Sequence, residues 1–162
     1  AGNWKMNTTV TEAETLAASL RRELDGLPGV EVALCPPFVS LERVVRALEG
    51  SSLNVGAQNM HYEDKGAFTG EVSASMLAGL CEFVIVGHSE RRADHGEGDA
   101  LVRTKSEAAI AAELVHGLGA AEIADKNGIS VHTARQHIKN LLSKNGYRKQ
   151  TELVAMLVKT LS

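Results

Sequence analysis

The chain has 162 residues, 44% of them apolar and 23% charged, with a formal net charge of −3. That length holds one large or two small domains, and the apolar content excludes global disorder. The charge is uneven: residues 1–114 carry 10 Lys+Arg against 17 Asp+Glu, and residues 115–162 carry 7 against 3. An acidic body with a basic end fits a nucleic-acid contact at the C-terminal end, with a solvated face as the competing explanation.

In chain order, residues 2–7 read as a strand and 11–24 as a helix with Leu16, Leu20 and Leu24 on one face. Residues 30–35 read as a second strand, stopped by Pro36-Pro37, and 41–48 as a second helix ending at Gly50. A third strand is expected over 54–59, a polar loop over 60–72, a short helix over 73–80 and a fourth strand over 83–86. This alternation predicts βαβ units and a parallel sheet. After Gly98 the pattern becomes helical, with runs over 99–116, 120–127, 131–144 and 149–161 and no strand signal. Cys35 and Cys81 lie in apolar runs without metal-ligand spacing, so buried free thiols are expected and no metal or cofactor is implied. With no signal peptide and no apolar run of spanning length, a cytoplasmic, reducing setting without membrane contact is expected.

Four motifs stand in the first part: Gly2-Asn3-Trp4-Lys5-Met6-Asn7, Gly56-Ala57-Gln58-Asn59, Gly66-Ala67-Phe68-Thr69-Gly70-Glu71 and Gly87-His88-Ser89-Glu90-Arg91-Arg92. Together they make residues 1 to about 112 resemble the N-terminal half of triosephosphate isomerase. The resemblance implies a (β/α)4 half of a TIM barrel. It implies that Asn3 and Lys5 hold the substrate near its phosphate and developing negative oxygen, and that His88 is the neutral electrophile polarising the carbonyl. Glu90 would support the site, and Thr69 matches a loop residue that reaches the partner subunit's site. This isomerase is itself the standard worked case of a base paired with a neutral histidine. In the family the base is a glutamate from the second half of the barrel, followed by a closing loop and phosphate-binding turns. The pattern is left near Glu113 before any of these, so Asn3, Lys5, His88 and Glu90 are expected to be remnants without turnover. For His88 a strand-end histidine bonded to backbone is the favoured alternative.

The second part carries Ala120-Ala121-Glu122-Ile123-Ala124, Gly128-Ile129-Ser130 and Thr133 through Lys144. It resembles the helix-turn-helix of LuxR-type regulators, which implies a four-helix module over about 104–162. Ser130 suits an N-cap, and Ile123, Ala124, Ile129, Ile138 and Leu141 suit a trihelical core. By resemblance 131–144 is the recognition helix, with Thr133, Arg135, Gln136, Lys139 and Asn140 facing double-stranded DNA. Lys144, Arg148 and Lys149 could neutralise phosphates, and His132 or His137 could add contacts, although an ordinary surface or core histidine is the favoured reading of both. Gly119-Ala120-Ala121 and Ala134 depart from the family's usual polar and hydrophobic positions.

One helix, 99–116, satisfies both patterns because both want apolar residues at three-and-four spacing. The fold class expected is therefore α/β plus all-α: a half-barrel over 1–103 joined to a helical module over 104–162 that shares this helix. The function expected is that of a non-catalytic chimera, engineered or recombined, with at most weak DNA binding. Isomerase activity restored by oligomerisation and a natural transcriptional regulator are the alternatives. A homo-oligomer is expected, formed through the open half-barrel edges or through helix 149–161.

Overall fold

The computed structural model describes residues 1–126 and 130–161. These form two compact units, one of residues 1–60 and 76–86 and one of residues 61–75 and 87–162.

The first unit is a parallel sheet of four short strands with helical crossovers. The strands are β1 (Gly2–Asn3), β2 (Ala33–Cys35), β3 (Asn54–Ala57) and β4 (Phe83–Val84), in the spatial order β1-β2-β3-β4. Gly2 lies opposite Leu34, Leu34 opposite Val55 and Gly56 opposite Phe83. The strands are shorter than the sequence suggests. The run expected over 2–7 ends at Asn3 because Lys5 (φ 53°) and Thr8 (φ 74°) leave the extended region.

Helix α1 (Val10–Leu24) starts at a capping box: Glu12 N–H donates to Thr9 Oγ1, and Thr9 N–H donates to Glu12 Oε2. Its buried face keeps only part of the leucine row. Ala13 and Ala17 are wholly buried while Leu16 is 39% exposed. Small residues at this spacing let α2 (Leu41–Leu48) approach closely, so the face runs Ala13, Ala17, Leu20, Leu24 and leaves Leu16 outside. Val44 and Leu48 of α2 are buried, as are Leu34 of β2 and Val55 of β3, and α2 packs on β3. Pro36-Pro37 ends β2 and leads into a 3-10 turn, Phe38–Ser40, which no pattern in the sequence signals. The expected helix over 73–80 shrinks to α3 (Ala74–Leu77).

The second unit is helical: α4 (Ser89–Asp94), α5 (Asp99–Val115), α6 (Ala120–Lys126), α7 (Val131–Lys144) and α8 (Gln150–Leu161). Ile110, Leu114, Ile123, Ala124, Ala134, Ile138, Leu141 and Leu153 make one continuous core from α5 to α8. Ser130 caps α7, its Oγ accepting from Thr133 N–H at 3.0 Å, and Glu122 Oε2 accepts from Gly119 N–H ahead of α6. Glu152 Oε2 accepts from the N–H groups of Arg148 and Lys149 at the start of α8. The stretch 99–116 is one uninterrupted helix to Val115. It also buries two charges the apolar pattern hid, Glu107 on the side of Ile110 and Leu114 and Lys105 on the opposite side of the helix. Asn127, Gly128 and Ile129, of the expected third helix and turn, lie outside the described residues, as do the side chains of Leu157 and Leu161. Among the described residues no helix is long and apolar enough to cross a membrane.

Candidate functional site

The loop after β1 is held by hydrogen bonds that run across the strand ends. Trp4 N–H donates to Cys35 O at 3.0 Å, and Lys5 N–H donates to Asn3 Oδ1 at 2.9 Å. Gln58, just past β3, donates through Nε2 to both Lys5 O (2.9 Å) and Cys35 O (2.8 Å). One amide thereby ties the chain after three neighbouring strands. Lys5 sits in the left-handed region with its side chain exposed, a conformation that costs a non-glycine residue about 1–3 kcal/mol. Asn7 Nδ2 to Trp4 O at 2.8 Å closes the loop. The sequence motif contains Gln58 but assigns it no role. The chemical signal for one is that a primary amide carries two donors and can satisfy two carbonyls at once.

His88 and Glu90 belong to the second unit. Gly87 turns the chain with φ +66°, and His88 then caps α4. His88 Nδ1 accepts from Glu90 N–H at 3.3 Å. The Glu90 carboxylate lies 3.6 Å from the same Nδ1. Asn3 and Lys5 are in the first unit.

The two arginines of the same motif anchor α4 to α5. Arg92 Nε donates to Gly87 O at 2.9 Å and Nη1 pairs with Asp99 at 2.7 Å. Arg91 pairs with Glu97, whose Oε1 also accepts from Lys105 Nζ at 2.7 Å. Burial by itself would raise the Glu97 carboxyl. Hydrogen bonds from Lys105 and Arg91, and their charges, outweigh it and hold the group below the ordinary carboxylate value. The motif alone suggests no role for these arginines, and no local pattern predicts that Glu97 is 3% exposed.

On α7, Arg135, Gln136 and Lys139 are exposed together with His132, while Thr133 and Asn140 are half-buried. These residues share one helix face and can donate to phosphates and base edges. Four of the expected contact residues are already engaged. Gln136 Nε2 donates to Asn140 Oδ1 at 3.1 Å, and Lys144 Nζ is paired with the buried Glu107 carboxylate. Thr133 closes on the Ser130 cap at 2.8 Å. His137 turns inward, and its Nδ1 is buried without a hydrogen-bond partner. Cys35 is buried as expected. Cys81 is only half-buried, its Sγ lying 3.5 Å from Phe83 O, because it follows α3 in the turn before β4 and not in a core strand. Among the described residues no cluster of His, Cys, Asp and Glu could hold a metal.

The sequence model of the family described as Triosephosphate isomerase matches residues 1–156. The chain belongs to the triosephosphate isomerase family. A triosephosphate isomerase of Dehalococcoides mccartyi is 52% identical over 115 residues, covering 71% of this chain and 46% of the relative. One of Carboxydothermus hydrogenoformans is 54% identical over 111 residues, 68% of this chain and 44% of the relative. One of Thiobacillus denitrificans is 56% identical over 115 residues, 70% and 45% respectively. The chain thus spans about half the length of the curated relatives it matches. The isomerase family model continues through α6 and α7 into α8, so it and the LuxR-type resemblance describe the same helices.

Proposed function

We propose that these 162 residues by themselves are a non-catalytic member of the triosephosphate isomerase family, in which Lys5 and His88, matching the family's substrate-holding and carbonyl-polarising residues, are present without a proton-abstracting partner. The observation that supports this reading is where the strands stop. Among the described residues β4 is the last strand, and all regular structure from Ser89 to Leu161 is helical. In a barrel enzyme the catalytic groups stand at the C-terminal ends of strands, and by resemblance the family's base comes from the second half. By resemblance Lys5 would hold the substrate and His88 would polarise its carbonyl, and neither role removes a carbon-bound proton. Without that transfer most of the acceleration is lost. On this reading the helical unit was joined to the half-barrel at α5, by recombination or by design. The test is a coupled assay of glyceraldehyde-3-phosphate interconversion by the purified chain. The expected rate is that of buffer. Turnover that disappears in Lys5→Ala would overturn the reading in favour of a site restored by oligomerisation.

A second reading is weak binding of double-stranded DNA by α7. It is supported by the exposed His132, Arg135, Gln136 and Lys139 standing on a helix whose other face closes a core. Fluorescence anisotropy of a labelled duplex at low salt should show binding that falls steeply with added salt. Arg135→Ala and Lys139→Ala should each lower the logarithmic salt slope by about one. Absence of binding at low salt removes this reading.

We also infer a homo-oligomer formed through the open sheet edges of the half-barrel or through α8. Light scattering should give a mass at least twice 17.2 kDa, and a folded monomer at micromolar concentration would refute it.

A further inference from the structure

The second unit contains a cavity of about 510 Å³, within the roughly 300–1,000 Å³ typical of small-molecule sites. One wall is the small-residue side of α5, Ala108, Ala111 and Ala112, with Leu141 and Met156 completing an apolar lining. Glu107 and Lys144 also line it, together with Glu63 and Asp64. Three carboxylates against one ammonium give the site a negative balance that favours a cation.

Glu107 carries the argument. It is 2% exposed, its Oε2 is paired with Lys144 Nζ, and its Oε1 is buried with no hydrogen-bond partner. A buried acceptor left unmade is a standing free-energy cost that a second donor would remove. The existing partner is loosely held by comparison, since the Lys144 side chain is 54% exposed and reaches the carboxylate from solvent. A compact ammonium or guanidinium group arriving from the cavity could join or replace the lysine on Glu107 without leaving the buried charge unpaired. The alanine wall of α5 leaves room for an apolar body behind that group.

We propose that this cavity is a binding site for a small amphiphilic amine, its cation on Glu107 and its apolar part along Ala108, Ala111 and Ala112. This does not rest on the isomerase or DNA readings. Lys144 acts as a built-in competitor for the same carboxylate, so the proposal makes an unusual demand: removing a cation should strengthen the binding of a cation.

The test uses the full chain, phenethylamine as probe, and phenylacetate as its charge-reversed counterpart, followed by amide NMR titration. Phenethylamine in the millimolar range should shift amides of residues 108–112 and 141–145, and phenylacetate should not. Glu107→Gln should weaken the amine by about tenfold or more, as expected when a charged hydrogen bond is lost. Lys144→Met should tighten it. Ala111→Phe fills the cavity while keeping the Glu107–Lys144 pair, and should abolish the shifts in a protein whose spectrum is otherwise native. The proposal is overturned if phenylacetate binds equally, if Lys144→Met weakens the amine, if folded Ala111→Phe still binds it, or if no shifts appear.

Discussion

Substituting Gly87 tests how the turn that presents His88 is built. Gly87 has φ +66°, and a Cβ there would meet Val102 Cγ1 and Cγ2 at 2.8 Å. Gly87→Ala therefore carries two penalties. The left-handed conformation costs an alanine about 1–2 kcal/mol, and forcing a methyl against packed side chains costs about 1–3 kcal/mol more. The expected loss is about 2–5 kcal/mol. Gly117→Ala is the control. Its φ is +87° and a methyl at this position would have no atom within 4 Å, so only the conformational part, about 1–2 kcal/mol, is expected. Urea unfolding followed by circular dichroism compares the two, since both replace glycine by alanine and share the same gain from a less flexible unfolded chain. A cycle with Val102→Ala isolates the clash, because the double variant should recover at least about 1 kcal/mol of the sum of the singles. Equal losses for the two glycine variants, or a cycle additive within about 0.5 kcal/mol, would refute the packing described around this turn.

The remaining expectations concern ionisation, packing and thiol reactivity. Glu97 has a folded pKa below its unfolded one, so its contribution is fully present above the ordinary carboxyl value of 4.5 and is lost as pH falls through the folded value. Glu97→Gln should cost about 3 kcal/mol at pH 7 by leaving Lys105 and Arg91 uncompensated, with the gap to the parent chain shrinking below pH 4.5; a pH-independent gap would count against the assignment. Ile123, wholly buried between α5 and α7, should cost about 2–5 kcal/mol when cut to alanine, read as a lowered urea midpoint, and a loss under about 1 kcal/mol would show that the helical core is not packed as described. Burial pushes the Cys35 thiol up, so a disulfide reagent should modify half-buried Cys81 first, and equal rates at the two thiols would contradict their placement.

Strand–helix alternation, the Pro36-Pro37 stop, the Ser130 cap and the uninterrupted run of α5 were legible from residues alone, because each depends on neighbours a few positions away. The parallel sheet followed from the same alternation, while its strand order is read from the structure. Periodicity set Leu16, Leu20 and Leu24 on one face of α1 but not which edge of that face is buried, because what selects it is the helix packed against it. Alanines at 13 and 17 admit α2 where Leu16 would hold it off. Asn3, Lys5, His88 and Glu90 could be singled out from motifs. The double hydrogen bond of Gln58 and the strained turn at Lys5 are properties of backbone positions fixed by distant strands and turns. The buried charges were hidden for a related reason. Lys105 and Glu107 each look like a solvated position of an alanine-rich helix, and only tertiary contacts supply Glu97 to one and Lys144 to the other. A lysine or glutamate is polar in any one-dimensional reading. Whether it is a solvated surface group, a structural pair or the floor of a cavity is decided by which oppositely charged groups the fold brings within a few ångströms, and by how much water it leaves around them.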